Sequence, residues 1–418
     1  MAVQVSRRQF IKASVAGAVG VALGDPSSLL QKAWAQTAQE PIRVGVLTPL
    51  TGGGAVYGRS MNEAYLGAAN EINQAGGVLG RPIRRFVEDS QTSPDAAVRA
   101  ARKLVDVNRV HVIMGTWSSA VTLAVAPIAI SAGVPLFCTS SSPLISDLDD
   151  RDLVYRTVYS QAVMGPLFAI SARRLRANTA AVLALNNPYG IALRDSFASY
   201  FERLGGKLVG QVTYNPGQAS YRSEVQQALA GRPDVILHAG YQPDAVQLVR
   251  EWVNLGLGGM WMGPGFAFDR AFIEGVGARV AEGMVVIEGV PNQRSTAFRR
   301  LREVLRREPD LFAAMAWDQL MVVALAVYAA QGDSSGDAIK RNLRRVANPP
   351  GTIVGTWREA VALLKGGREI NYEGASGSLD FDAKGDVETD FGIYRIVQGR
   401  WQLQEVVPYR EVRRVIQQ

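Results

Sequence analysis

At 418 residues, 47% of them hydrophobic and 20% charged, the chain has the balance of a folded protein with room for two cores, and its 7 Trp, 13 Tyr and 13 Phe exclude long disorder. Part of the formal net charge of +7 is confined to the first 35 residues (Arg7, Arg8, Lys12 and Lys32 against Asp25) and the rest is scattered, which excludes a nucleic-acid partner. The single cysteine, Cys138, excludes an intramolecular disulfide, and with only His111 and His238 beside it a transition metal has almost no ligand supply.

In chain order, the first feature is Ser6-Arg7-Arg8-Gln9-Phe10-Ile11-Lys12, followed by small and apolar residues from Ala13 to Gly24 and then Ala33-Trp34-Ala35. A basic start, a short apolar stretch and an A-x-A site make an export signal, and the stretch falls short of the ~20 residues that span a bilayer. The paired arginines with Phe10 and Lys12 resemble a twin-arginine signal, which implies export of an already folded chain to the periplasm. No later segment is expected to span a membrane, so the mature chain is expected to begin near Gln36 with no integral membrane segment.

From Ile42 onward, short β-branched runs alternate with amphipathic stretches, predicting parallel sheets flanked by helices in two blocks. The first block has predicted strands at 43–47, 84–88, 110–114 and 135–138 and helices at 61–74, 94–108 and 120–131. The second has strands at 180–185, 207–213, 235–238 and 284–288 and helices at 162–176, 191–204, 222–230 and 244–255. Long helices follow at 296–307 and 312–331, then a strand-rich tail over 378–407 that can complete an earlier sheet. Crossings between the blocks are expected near Val158–Ser160, Glu288–Pro291 and Thr389–Phe391. That places residues 36–159 with 290–390 in one lobe and 160–289 with 391–418 in the other.

Few motifs carry chemistry. Thr51-Gly52-Gly53-Gly54 follows the first strand, where a phosphate loop would lie, but it lacks the Gly-Lys-Ser/Thr and GxGxxG spacings and reads as a turn that lets a small ligand approach the backbone. The segment Asp380-Phe381-Asp382-Ala383-Lys384-Gly385-Asp386 begins like a calcium loop, yet Lys384 and Phe391 stand where oxygen ligands are needed, so it reads as a turn between tail strands. Arg299–Arg307 and Lys340–Arg345 read as solvated helix faces. No nucleophile elbow, cofactor fingerprint or metal cluster is expected, and so no catalytic residue. What stands out are hydroxyl clusters after two strands, Trp117-Ser118-Ser119 and Thr139-Ser140-Ser141-Ser142. They lie where open α/β sheets bind ligands, and they suit a carboxylate or carbonyl.

These features together resemble the type I periplasmic binding proteins of the branched-chain amino-acid (leucine/isoleucine/valine) family of ABC importers. The resemblance is carried by Val46-Leu47-Thr48-Pro49-Leu50-Thr51-Gly52 with Tyr57-Gly58, Asn70–Gly80, Asn187-Pro188-Tyr189-Gly190, Ala239–Asp244, Met262-Gly263-Pro264, Glu282-Gly283-Met284 and Asn371–Gly377. It implies two Rossmann-like lobes on a three-crossing hinge that close on a small-molecule ligand, with a membrane ABC permease and its ATPase subunits as partners. By motif, it implies that a ligand carboxylate meets Ser119 and the Ser140–Ser141 loop, that Tyr57 lines the first lobe, that Tyr189 and Tyr241 approach from the second, and that Asp318 is a pocket neighbour. The family's first-lobe cysteine pair is replaced by Ser93 and Ser118. Where amino-acid binders carry Gly-Pro-Glu, this chain reads Gly263-Pro264-Gly265, so a ligand ammonium would be buried unpaired unless Asp318 or Glu288 replaced the charge. The reading is a binding component for import. A ligand-sensing partner of a membrane receptor and an exported oxidoreductase are the alternatives.

Overall fold

The computed structural model describes residues 40–417, and Pro41 onward form one compact unit. The expected export signal lies outside the described residues. The strands are β1 (Ile42–Thr48), β2 (Ile83–Asp89), β3 (Val112–Thr116), β4 (Leu136–Cys138), β5 (Val154–Arg156), β6 (Thr179–Leu185), β7 (Lys207–Tyr214), β8 (Val235–Ala239), β9 (Met260–Pro264), β10 (Val285–Gly289), β11 (Thr352–Val354), β12 (Ile370–Tyr372), β13 (Phe391–Val397) and β14 (Arg400–Val407). They form a five-stranded parallel sheet, β2-β1-β3-β4-β5, and a seven-stranded sheet, β14-β13-β10-β9-β8-β6-β7. In the second sheet β13 runs antiparallel to both its neighbours, β10 and β14, and the other pairs are parallel.

The inner strands are near-continuous apolar runs because helices cover both faces of a parallel sheet. In the first sheet β3 and β4 are buried at every position. On one face the helices Pro94–Arg102 and Ser119–Ser131 bury Ala97, Ala101, Val121 and Val125 with Leu47, Ile113 and Leu136. On the other, the helix Ala55–Gln74 packs against Leu311–Ala329, and Gly67 permits the approach of a further helix, Thr296–Leu305, since a Cβ there would lie 2.6 Å from Val304 Cγ1. Side-chain oxygens fix the helix starts: Asn187 accepts from Gly190 N at 2.8 Å and Asp310 from Ala313 N at 2.9 Å.

The chain passes between the sheets three times: after β5, after β10 and before β13. The tail therefore completes the second sheet, as its position in the sequence suggested. Several expectations need correction. Strands β5, β9, β11 and β12 were not predicted, three of them only three residues long. The predicted helix 94–108 ends at Arg102 and continues as a π-helical turn, Lys103–Val107. The stretch 379–390 contains no strand; its Asp386 instead docks on Arg156, so the Asp380–Asp386 turn joins the end of β5 rather than two tail strands. The helix Leu311–Ala329 is long and apolar enough to cross a membrane by composition, contrary to expectation, but it is almost wholly buried as the core helix of its layer.

Candidate functional site

The carboxyl ends of both sets of strands face a small enclosed cavity. Its volume is only about 20 Å³, so the walls must part to admit a solute, and it is lined by Trp117, Ser119, Thr139, Ser141, Val158, Tyr159, Tyr189, Tyr241, Phe266 and Phe312. Trp117 and Ser119 follow β3, Thr139 and Ser141 follow β4, and Val158 and Tyr159 follow β5. Tyr189, Tyr241 and Phe266 follow β6, β8 and β9 of the other sheet. A site at strand ends follows from the chain polarity of parallel sheets, which gathers every βα turn on one edge. A broader groove around Tyr328, Arg344–Pro350 and Leu364–Glu369 is a surface feature away from both sets of strand ends.

The first sheet supplies hydroxyls that its own chain holds in place. Ser140 Oγ is 3.0 Å from the carbonyls of Thr116 and Trp117 and 2.6 Å from Thr122 Oγ1, so it braces the two loops against each other. Ser119 Oγ accepts from Ser142 N at 3.2 Å and Ser141 Oγ accepts from Gln161 Nε2 at 2.9 Å, which leaves each hydroxyl proton for another acceptor. Behind them the buried Arg156 donates to Ser142 O at 3.0 Å and to both Asp386 oxygens at 2.9 and 2.6 Å, pinning the serine loop. Thr139 Oγ1, a cavity-wall atom, has no hydrogen-bond partner. Such a buried orphan costs about 1–3 kcal/mol unless something pairs with it.

The second sheet supplies rings. Tyr189 stacks on Tyr241 at 5.6 Å, and Phe266 meets Tyr189 edge-on at 5.5 Å. Trp117 reaches across to Tyr241 at 4.7 Å and Phe266 at 5.8 Å, and it touches Phe312 at 5.9 Å. Tyr57 stacks behind Trp117 at 5.9 Å, and its hydroxyl donates across the cleft towards Phe266 O at 3.0 Å and Asp269 Oδ2 at 2.8 Å. Tyr241 OH donates to Ser118 Oγ at 3.3 Å and accepts from Asn187 Nδ2 at 3.2 Å. Tyr189 OH lies beside Gln161, yet neither it nor Gln161 Oε1 closes a hydrogen bond.

Of the residues singled out in the sequence, Trp117, Ser119, Thr139, Ser141, Tyr189 and Tyr241 line the cavity. Tyr57, Ser118 and Ser140 stand directly behind that wall. The expectation that Asp318 neighbours the ligand is corrected. Its carboxylate accepts from Ala375 N at 2.8 Å and from Ser376 N and Oγ at 2.7 and 2.6 Å, which anchors the 374–376 loop. Burial pushes Asp318 up to about 7 against those hydrogen bonds. Sequence reasoning missed Tyr159, Phe266 and Phe312 as wall residues; Phe266 was signalled only by its place one residue after Gly265, and Tyr159 by lying within an expected crossing.

Among the described residues, no charged side chain lines the cavity. Glu288 lies one layer back, its Oε1 accepting from Tyr159 OH at 2.7 Å and Gly289 N at 2.9 Å, its Oε2 from Phe266 N at 3.1 Å. A Cβ on Gly265 would lie 2.8 Å from Glu288 Oε2 and 2.6 Å from the Trp401 ring, so the space a glutamate at 265 would enter is already filled.

The glycine turn also differs from expectation. Its neighbours' N–H groups are already held, because Asp89 accepts from Leu50 N, Thr51 N and Gln91 N at 2.9, 3.2 and 2.8 Å. What the missing Cβ of Gly54 admits is the Trp117 ring, which a Cβ would meet at 2.6 Å. Cys138 is fully buried, and burial pushes its thiol up to about 11, the behaviour of an inert core cysteine.

Two sheets meeting a cavity at their strand ends, joined by three crossings, define a two-lobed binding protein rather than a nucleotide fold. The sequence matches the periplasmic binding protein family over residues 41–400, and the chain belongs to that family. It is similar to the chemotactic signal transduction system substrate-binding protein BasB of Halobacterium salinarum, 26% identical over 385 residues that cover 88% of this chain and 90% of BasB. In structure it is similar to the leucine-binding protein LivK of Thermotoga maritima, with a TM-score of 0.76, 24% identity and coverage of 88% of this chain and 99% of that one. A solute-binding protein of an ABC transporter from R. palustris, solved with benzoate, gives a TM-score of 0.73 at 18% identity over 88% of this chain and 97% of that one.

Proposed function

We propose that this chain is the extracytoplasmic solute-binding component of an ABC uptake transporter. In this reading it is exported by its twin-arginine-like signal, captures a small organic carboxylate between two lobes, and delivers it to a membrane permease driven by ATPase subunits, doing no bond-making chemistry itself. The lobes are residues 36–159 with 290–390 and 160–289 with 391–418. The observation that carries the reading is the uncharged cavity. Ser119, Thr139 and Ser141 present donors at the start of the helix Ser119–Ser131 on one side, and rings close it on the other. A carboxylate suits the first wall and an apolar or aromatic body suits the second. An ammonium would lack a partner and cost several kcal/mol, against a total of about 8 kcal/mol for a micromolar site. Calorimetry with leucine, phenylalanine and their deaminated acids tests this: the acids should bind and the amino acids should bind at least tenfold more weakly. Tight binding of the amino acids alone would return the site to amino-acid recognition. The similarity to BasB, a substrate-binding protein of a chemotactic signal transduction system, supports sensing as the second reading. Growth on the ligand as sole carbon source, with and without the gene, separates uptake from sensing.

A further inference from the structure

Each of the three crossings contributes to one buried cluster behind the cavity. Tyr159 comes from the first, Glu288 and Gly289 from the end of β10 at the second, and Phe391 from the third, its ring 4.8 Å from that of Tyr159. Tyr159 is the only member of this cluster that also forms cavity wall. Its hydroxyl proton is committed to Glu288 Oε1 at 2.7 Å, and Glu288 is itself held by two backbone N–H groups from the β9 and β10 ends. A phenol whose proton is taken by a carboxylate can offer only lone pairs on its other side. The side chains of Ser119, Thr139 and Ser141 instead keep donors free for the cavity. The wall thus carries groups of opposite hydrogen-bonding sense.

We propose that Glu288 is a positioning residue for ligand specificity, acting through Tyr159 to give the cavity an acceptor pole, so that the preferred solute is an aromatic acid carrying a hydroxyl or N–H donor on its ring. This rests on the carboxylate reading of the same site and adds the second polar group to it. It also assigns a use to a carboxylate that would otherwise be a costly buried charge. Burial pushes Glu288 up to about 7, against hydrogen bonds from Tyr159, Gly289, Phe266 and Gly265 that pull it down. The titratable groups that feel it are Tyr57, Tyr159, Tyr189 and Tyr394, phenols that burial holds above their ordinary value, so Glu288 alone among them changes charge near neutral pH. Above that range its carboxylate holds the Tyr159 proton; below it Glu288 becomes a donor and the acceptor pole is lost.

The test compares dissociation constants of para-hydroxybenzoate and para-methoxybenzoate, and of the matching phenylpropanoates, at pH 8 and pH 6. The donor-bearing acid of one pair should bind about tenfold more tightly than its methyl ether at pH 8, and about threefold or less at pH 6. In Tyr159→Phe the ratio should fall to about one. In Glu288→Gln it should lose its pH dependence while the protein still melts cooperatively. Acids that bind with a ratio near one at both pH values in the wild type overturn the role of Glu288 and leave the carboxylate reading standing. No binding of any of the four acids overturns both.

Discussion

The two walls of the cleft are held in different ways. The hydroxyl wall is braced mainly from within its own sheet, by Ser140 and Arg156, with Gln161 at the start of the following helix as its one hold on the other lobe. The aromatic wall is braced across the cleft: Trp117 reaches Tyr241 and Phe266, Tyr57 bonds to Phe266 O, and Tyr241 bonds to Ser118. A carboxylate can therefore be received by a preformed polar surface, whereas the apolar half of the pocket is completed only on closure. Differential contacts of that kind are what shift an open–closed equilibrium towards the liganded state.

The comparison breaks most directly at Trp117, the ring after β3 that reaches across to the rings of the second sheet. Trp117→Ala removes its contacts with Tyr57, Tyr241, Phe266 and Phe312 and should cost about 3–5 kcal/mol in unfolding free energy, with roughly 100-fold weaker ligand binding. Chemical denaturation and calorimetry read the two effects. A loss under about 1 kcal/mol would mean the rings do not hold the cleft.

Acid should separate the two regions. His238 on β8 is fully buried against Tyr214 OH at 2.9 Å, and burial lowers it to about 3. A histidine with a depressed folded value contributes stability that is present above its unfolded value and lost as pH falls, here from about 6.5 towards 3, or roughly 2–3 kcal/mol by pH 4.5. Asp318, beside the first sheet, has the opposite sign. Raised to about 7, its contribution is fully present below about 4 and is lost as pH rises through 7. Glu288 on β10, also raised to about 7, shares the sign of Asp318 and offsets part of the loss in the second sheet, so the comparison is made against a His238 variant. Hydrogen exchange at pH 4.5 should show β6, β8 and β9 better protected in His238→Gln than in the wild type, and equal protection would contradict it.

Gly265 gives a smaller effect. Gly265→Ala places a Cβ against Trp401 and Glu288 and should cost about 1–3 kcal/mol by overpacking. Gly265→Glu should not confer leucine binding, because the added carboxylate meets Glu288. Thermal melts and calorimetry check both, and tight leucine binding by Gly265→Glu would show that the space can open.

The legibility of the fold and site followed chain length and local pattern. The long inner strands were readable because parallel strands buried on both faces make unbroken apolar runs, and the tail because its strand-rich composition asked for a sheet to complete. Strands β4 and β5 have three residues each; β4 was found through the apolar Leu136-Phe137 beside Cys138, whereas β5 was missed. The hydroxyl wall was legible since its residues are contiguous after β3 and β4. Tyr159, Phe266 and Phe312 were not, because a crossing, the turn after β9 and a helix start bring them to the cavity from different parts of the chain. Asp318 misled for a similar reason: its hydrogen-bonding partners, Ala375 and Ser376, lie more than fifty residues away.

The finest test pairs Ser119→Ala with Tyr241→Phe, one hydroxyl from each wall. Ser119 Oγ faces the cavity and already accepts from Ser142 N, so its loss removes a donor to the ligand and unpairs a backbone N–H, at about 1–3 kcal/mol in binding. Tyr241→Phe keeps the stack on Tyr189 and the contact with Trp117, and removes only the 3.3 Å bond to Ser118 and the 3.2 Å bond from Asn187. Its cost should be about 0.5–1.5 kcal/mol, and it should fall on closure rather than on ligand contact. Small-angle scattering of unliganded protein should then show Tyr241→Phe more extended than wild type and Ser119→Ala unchanged, with both weakening affinity. If the two variants have the same dimensions as wild type and lose affinity equally, the bond from Tyr241 to Ser118 does not hold the lobes together, and the distinction between a preformed wall and one made on closure fails.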